Sequence, residues 1–422
     1  MEKLIIRGGR PLKGAVTVSG SKNACLPILA ATLLTDERCV LEGAPVLRDV
    51  TTMIRILRNI GVKIAQEGSR IVVEPGGYRG VEAPYRLVST MRASFCVLGP
   101  LLGKKGQAKV SLPGGCVIGP RPVDLHLKGL KALGASLKVE SGYVLASTKG
   151  LRGSTIYLGG AFGSSVLGTA NVMMAASLAQ GRTVIENAAC EPELVDLANV
   201  LIKMGAKIQG HGTPVVTVDG VRRLNGFTHR VIPDRIEAGT FLIAAAVSES
   251  ELAIHGARVD HLGAVIDKLR EAGVEVAPGD GSLRVRPRRR LKPVDVTTLP
   301  YPGFPTDMQA QMMTLMCQTP GISVMTEKIY PDRFMHVAEL GRMGAQIKLE
   351  GASAIIQGIS RLKGAPVMAS DLRASAALVL ASLAAKGVSE VARIYHLDRG
   401  YDRIDEKLVK LGADIRRMKD SG

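Results

Sequence analysis

The chain has 422 residues, 46% hydrophobic but only 3% aromatic and without Trp, so it is long enough for two sizeable cores, and those cores must be aliphatic. Lys and Arg number 55 against 38 Asp and Glu, a formal net charge of +17 that favours anionic partners. Single-strand nucleic-acid binders also need aromatic stacking platforms, which this composition does not supply; a small substrate carrying phosphates or carboxylates fits the charge equally well.

The N-terminal stretch MEKLIIRGGRPLKG mixes acidic and basic residues and lacks a long apolar core, so it does not read as a secretory signal. No apolar run reaches membrane-spanning length, and a soluble, cytoplasmic protein is expected. Ser21-Lys22-Asn23 precedes the apolar run ACLPILAATLL. Lys22 would then stand where a helix presents free N–H groups and partial positive charge, a combination suited to an anion. A solvent-facing lysine at a helix start is the plainer alternative. Further on, SLPGGCVIGPRPVDLH (111–126) breaks a strand at Pro113-Gly114-Gly115, presents Cys116, turns again at Gly119-Pro120 and lines up Arg121, Asp124 and His126. It reads either as a reactive thiol raised on a glycine turn near a cation, or as a surface loop with an incidental cysteine.

The second half offers similar corners. Asp234-Arg235 precedes an apolar run, and Ser370-Asp371-Leu372-Arg373 opens another. Thr306-Asp307-Met308-Gln309 has the T-x-x-Q form of a capping box, in which Asp307 would serve the helix dipole or, alternatively, act as a base. The basic run RVRPRRR (284–290) reads as a solvated strand edge. The six cysteines (Cys25, Cys39, Cys96, Cys116, Cys190 and Cys317) show no C-x-x-C pairing, and three sit in apolar helical runs, which argues for a reducing compartment and against zinc or disulfides.

One pattern organises the whole chain: a helix followed by Gly-[AV]-x-[ILV]. It recurs at Gly61, Gly134, Gly205, Gly273, Gly344 and Gly412. Each glycine closes an amphipathic segment, such as VTTMIRILRN (50–59), as a helix-terminating glycine should. Between them lie more apolar helical runs at Ala24–Leu34, Arg92–Leu102, Asn171–Ala179, Ala238–Val247, Met308–Cys317 and Ala374–Ala385. A unit of about 70 residues with two helices and about four short strands, repeated six times, implies an α/β protein of two globular domains with three units each. Charged corners at the starts of the apolar helices, brought together between two domains, would form a cationic cleft holding a few carboxylates.

The blocks GSKNACLPILAATLL, PGGCVIGPRPVDLH, PDRIEAGTF, FPTDMQAQMM, DRFMHVAELGRMGA, SDLRASAALVLA and DRGYDRIDEKL, in this order, closely resemble the UDP-N-acetylglucosamine 1-carboxyvinyltransferase family of enolpyruvyl transferases. The resemblance runs essentially end to end. It implies two inside-out α/β barrel domains, each a threefold repeat, with the chain crossing between them twice: residues 1–21 with 232–422, and residues 22–231, the active site lying in the cleft. It implies transfer of the enolpyruvyl group of phosphoenolpyruvate to the 3′-hydroxyl of UDP-N-acetylglucosamine. Phosphate is released by addition and elimination through a tetrahedral ketal, without metal or cofactor, as the first committed step of peptidoglycan synthesis.

The resemblance also implies roles. Cys116 matches the proton donor to the methylene carbon of phosphoenolpyruvate and the target of fosfomycin. Asp307 matches the carboxylate that deprotonates the sugar hydroxyl. Lys22, Arg121 and Arg399 match the cations on phosphoenolpyruvate, with Arg92 and Arg373 further arginines of the cleft and Asn23 a sugar contact. Arg121, Pro122, Val123, Asp124 and Leu125, together with Ile329, match the uridine and diphosphate positions. Ser165 and Val166 offer backbone to the diphosphate, and Asp371 counts among the substrate-side carboxylates. One position departs from the family: Leu167 stands where a glycine is usual, which bears on the diphosphate contact. A sister enzyme acting on shikimate 3-phosphate, and an enzyme for a variant nucleotide sugar, are the alternatives within this chemistry. A non-catalytic basic nucleic-acid binder is the alternative outside it.

Overall fold

The segment RIEAGTFLIAAAV has no polar stripe, and a helix of that kind must be enclosed on all sides. In the computed structural model, which describes residues 2–114, 123–288 and 290–419, it forms the helix Arg235–Val247, and every residue after Arg235 is buried. Its counterparts are Lys22–Ala31, Leu98–Lys105, Val166–Ala176, Gln309–Met316 and Leu372–Ala384. Two of them begin with 3-10 turns, Arg92–Val97 and Thr306–Met308, rather than as the single helices that the apolar runs suggest. Small side chains let these helices meet closely. A Cβ on Gly99 would lie 2.2 Å from the Asn171 carbonyl oxygen.

Six four-stranded sheets surround them among the described residues, all with one pattern: a parallel pair, then two antiparallel pairs. In one, Val296–Thr298 runs parallel to Gly321–Glu327, which pairs antiparallel with Ser353–Gly358, and that strand with Gln346–Glu350. The chain start completes the last sheet. Glu2–Arg7 lies between Val388–Ala392 and Asp414–Lys419, with Leu4 opposite both Val391 and Arg417, in the place a hairpin strand fills elsewhere. The amphipathic helices, Arg48–Ile60 and Gly263–Glu271 among them, cover the sheets' apolar faces, and all six of the recurring glycines follow such a helix with φ between +89° and +106°. Only glycine takes that backbone without strain, which is why the stop signal is so regular.

The described residues form two compact units with separate aliphatic cores. One comprises residues 2–19 and 233–419, the other residues 20–114 and 123–232. Each contains three of the buried helices and three of the sheets. The basic run at 284–288 is not a sheet edge as its composition suggests. Ser282–Pro287 is an inner strand, Leu283 and Val285 pointing inwards while Arg284 and Arg286 are exposed, so the arginines are simply the outward half of the alternation.

Gly99→Ala should lower stability by about 3 kcal/mol, because the new Cβ forces two buried helices apart. Gly134→Ala, in the same unit but with open space around it, should cost only the left-handed backbone, about 1 kcal/mol. Chemical denaturation of both variants checks this; equal losses would contradict the close approach.

Candidate active site

In the unit of residues 2–19 and 233–419, the starts of the buried helices carry Arg235, Asp307 and Arg373. Charge is placed there because the remainder of each helix is enclosed, and the acidic neighbours Asp234 and Asp371 meet the first N–H groups that lack intrahelical partners. Asp307 is the centre. Its Oδ1 accepts from Arg333 Nη1 at 2.9 Å and its Oδ2 from Arg373 Nη2 at 2.8 Å. Arg333 and Arg373 are 5% and 2% exposed, and the Nε and Nη1 of Arg373 have no hydrogen-bond partner among the described residues. Burial raises the Asp307 carboxyl, but the two guanidiniums outweigh it and hold the group well below the usual carboxylate range.

The capping box expected at 306–309 does not form. Thr306 gives its hydroxyl proton to Glu327 Oε2 at 2.9 Å, and both amide atoms of buried Gln309 lack partners among the described residues. The stronger acceptor wins the threonine, and Asp307 is an ion-pair residue rather than a dipole cap. Asp371 does cap its helix, accepting from the backbone N–H of Arg373 at 2.8 Å and of Ala374 at 3.2 Å. Ile329 donates its backbone N–H to Glu327. Arg399 ends the 3-10 turn Ile394–Arg399, and its charge, after burial, is the largest influence holding down His396, which also feels Asp371.

The other unit places Lys22 and Asn23 at the start of Lys22–Ala31. Lys22 is 9% exposed, its ammonium 3.1 Å from Asp49 Oδ2. Ser165 caps the helix Val166–Ala176, accepting the Gly168 N–H at 3.1 Å, with Val166 and Leu167 in its first turn. Val123 precedes the helix Asp124–Ala132; Asp124 is exposed, and Leu125 lies beside Gly160 and Gly168. His126, in the first turn of that helix, is structural. Asn171 Nδ2 donates to its Nδ1 at 2.8 Å, Phe95 meets it edge-on, and burial, aided by the Arg92 charge, pushes its ring down to about 3. Cys116, Arg121 and Pro122 lie outside the described residues. Of the other cysteines, burial pushes the thiols of Cys25, Cys39, Cys96 and Cys317 up to about 12, which makes them inert packing. Cys190 is only half-buried.

Sequence reasoning passed over Arg333, Thr306 as a ligand of that arginine, Glu327 and Asp49. Arg333 carried a signal, a charge in a polar turn before an amphipathic helix. Asp49 and Glu327 carried none, since an acidic residue at a helix start or a strand end is ordinary.

A carboxylate held by buried arginines, with a lysine and a capped helix start elsewhere in the chain, is a set of charges of the kind found in sites for small anions. The chain matches the family described as EPSP synthase (3-phosphoshikimate 1-carboxyvinyltransferase) over residues 6–408. Among solved structures it superposes on the enolpyruvyl transferase NikO from Streptomyces tendae with a TM-score of 0.90 at 25% identity over 99% of each chain. It shares its fold with an EPSP synthase from Acinetobacter baumannii, TM-score 0.74 at 17% identity over 99% of this chain and 100% of that one. Two proteins named UDP-N-acetylglucosamine 1-carboxyvinyltransferase, one from Geotalea uraniireducens and one, numbered 2, from Carboxydothermus hydrogenoformans, are each 53% identical over 100% of both chains. The chain belongs to the UDP-N-acetylglucosamine 1-carboxyvinyltransferase family, within the broader EPSP synthase family.

The low-lying His126 predicts a pH effect on stability. The unfolded ring gains a proton as pH falls through about 6.5, whereas the folded ring does not until about 3. Its contribution is therefore complete above the unfolded value and is lost as pH falls between the two. Urea midpoints of wild type and His126→Gln across this range should converge as pH falls; a constant offset would contradict it.

Proposed function

We propose that the protein transfers the enolpyruvyl group of phosphoenolpyruvate to the 3′-hydroxyl of UDP-N-acetylglucosamine, releasing phosphate, as the first committed step of peptidoglycan synthesis. The observation that carries this reading is 53% identity, over the full length of both chains, with proteins named for that activity. In this reading the units are two inside-out α/β domains, each a threefold repeat, and the active site draws residues from both. The partners are these two small molecules and not nucleic acid. No described helix is long and apolar enough to cross a membrane, and the reaction is assigned to the cytoplasm.

The chemistry divides among the residues. Asp307 takes the proton of the sugar hydroxyl as its oxygen bonds to the central carbon of phosphoenolpyruvate, while Cys116 gives a proton to the methylene carbon. The resulting ketal then loses phosphate from the central carbon and a proton from the methyl group, which restores the double bond. Lys22, Arg121 and Arg399 hold the phosphate and carboxylate of phosphoenolpyruvate. Arg92 and Arg373 add to the cationic lining, the unpartnered donors of Arg373 being suited to an anion. Asn23 and Asp371 contact the sugar side. Pro122, Val123, Asp124, Leu125 and Ile329 hold the nucleotide, and the helix start at Ser165 and Val166 receives the diphosphate.

The clamp on Asp307 has a kinetic meaning here. A carboxylate held well below its usual range is a weak base. A substrate anion that draws Arg373 away through its unpartnered donors loosens one side of the clamp, so basicity rises once the site is filled.

Phosphate release measured with phosphoenolpyruvate and either UDP-N-acetylglucosamine or shikimate 3-phosphate decides the acceptor. Turnover with the second and none with the first would overturn the assignment. Cys116→Asp should retain activity and escape fosfomycin, because it donates a proton but cannot be alkylated as a thiol is, whereas Cys116→Ser should lose most activity. A wild type indifferent to fosfomycin would remove Cys116 from its assigned role.

A further inference from the structure

Glu327 is an unusual residue to find with 0% exposure at the end of the strand Gly321–Glu327. Its Oε1 accepts the Thr298 hydroxyl at 2.6 Å and the backbone N–H groups of Ile329 and Tyr330 at 2.9 and 3.0 Å. Its Oε2 accepts the Thr306 hydroxyl at 2.9 Å. Burying a carboxylate is costly unless its lone pairs are met, and here four donors meet them.

The Thr306 contact reaches further than the others. A threonine hydroxyl has one proton to give, and it goes to Glu327, so only oxygen lone pairs remain for other neighbours. Arg333 Nη1 uses one of them at 3.0 Å. The same nitrogen donates at 2.9 Å to Asp307 Oδ1. Nη1 has two N–H bonds, so fixing one on Thr306 aims the other at Asp307. We infer that Glu327 and Thr306 are positioning residues: the buried carboxylate orients the threonine hydroxyl, and the threonine locks Arg333 onto the reacting carboxylate.

This inference rests on the reading of Asp307 as the base. Its content is that Glu327, three hydrogen bonds from Asp307, regulates that base through its Oε2, while its Oε1 holds the backbone at Ile329 on the nucleotide side. Other charges facing the clamp are accounted for. Arg373 holds Asp307 from its other oxygen, Asp371 and Arg373 act on Arg333, Arg333 in turn acts on His336, and Tyr401 and Asp234 act on Arg373. None of them touches the Thr306 hydroxyl, so removing that hydroxyl isolates the relay.

The test uses the full chain with Thr306→Val, which keeps the shape without the hydroxyl, and Thr306→Ser, which keeps the hydroxyl. A loosened Arg333 stabilises the Asp307 carboxylate less, so its pKa rises and the acidic limb of kcat/KM should move up by about one pH unit in the valine variant. The serine variant should restore the wild-type limb. Glu327→Gln should shift the limb in the same direction, since an amide nitrogen accepts no hydrogen bond; if it does not fold, the Thr306 pair decides. A valine variant with lowered Tm and an unmoved limb, or a serine variant shifted as far as valine, would overturn the relay. Carboxyl NMR titration of Asp307 in the same proteins separates the two readings. An upward shift in the valine variant alone, with no phosphate release by any protein, would sustain the relay and sink the functional assignment.

Discussion

Two guanidiniums buried almost completely within one unit are held by a carboxylate that lies between them, Asp307, with Asp371 and Asp234 adding their charge. Arg333 and Arg373 each give Asp307 one oxygen-directed bond, and removing one member of such a buried set typically costs about 3–5 kcal/mol, because a charge is left uncompensated. The rest of that unit's centre is arranged around the same requirement. The Arg373 guanidinium lies 5.3 Å from the centre of the Tyr401 ring. The Tyr401 hydroxyl bonds to Thr240 at 3.0 Å and receives Gln311 Nε2 at 3.1 Å, and that amide also donates to the Asp307 carbonyl at 2.9 Å. Thr240, Gln311 and Arg373 come from the three different buried helices of the unit, so a single polar network ties together helices that are otherwise apolar on every side.

Around Asn171 the other unit meets the same packing problem with neutral groups. Asn171 accepts the Gly99 N–H at 2.8 Å and donates to the Phe95 carbonyl at 3.0 Å and to His126. It thereby joins the segment of Phe95 and Gly99 to the helices that carry Asn171 and His126. Burial keeps His126 uncharged, which suits a network without counter-ions. One network is therefore held by ion pairs on Asp307 and the other by neutral hydrogen bonds on Asn171.

The parts of this architecture legible in the sequence are those written locally. Helix stops at six glycines need only a left-handed residue at each site, and enclosed helices need only an unbroken apolar run, so both could be read without knowing any partner. Helix starts rich in Lys, Arg and Asp followed from the same rule. What could not be read were pairings across the chain. Lys22 and Asp49 are 27 residues apart, and Asp307 and Arg373 are 66 apart. Thr306-x-x-Gln309 has a sound local interpretation that fails because Glu327, brought alongside by the parallel pairing of Thr298 with Glu327, competes for the hydroxyl. A local motif is overruled wherever tertiary structure supplies a better acceptor.

Leu167, where the family pattern has a glycine, can be weighed on the same physical terms. Glycine could be required there either for backbone conformation or for space. Conformation is not the reason, because Leu167 is in the first turn of an ordinary helix and is absent from the non-glycine residues with positive φ. Space is met as well, because the side chain packs against the aliphatic core of its own unit. The first N–H groups of the helix belong to the backbone, whatever side chain is attached, and Ser165 uses only that of Gly168. A leucine at this point adds apolar packing beneath the helix start and leaves the donors that would meet a diphosphate in place.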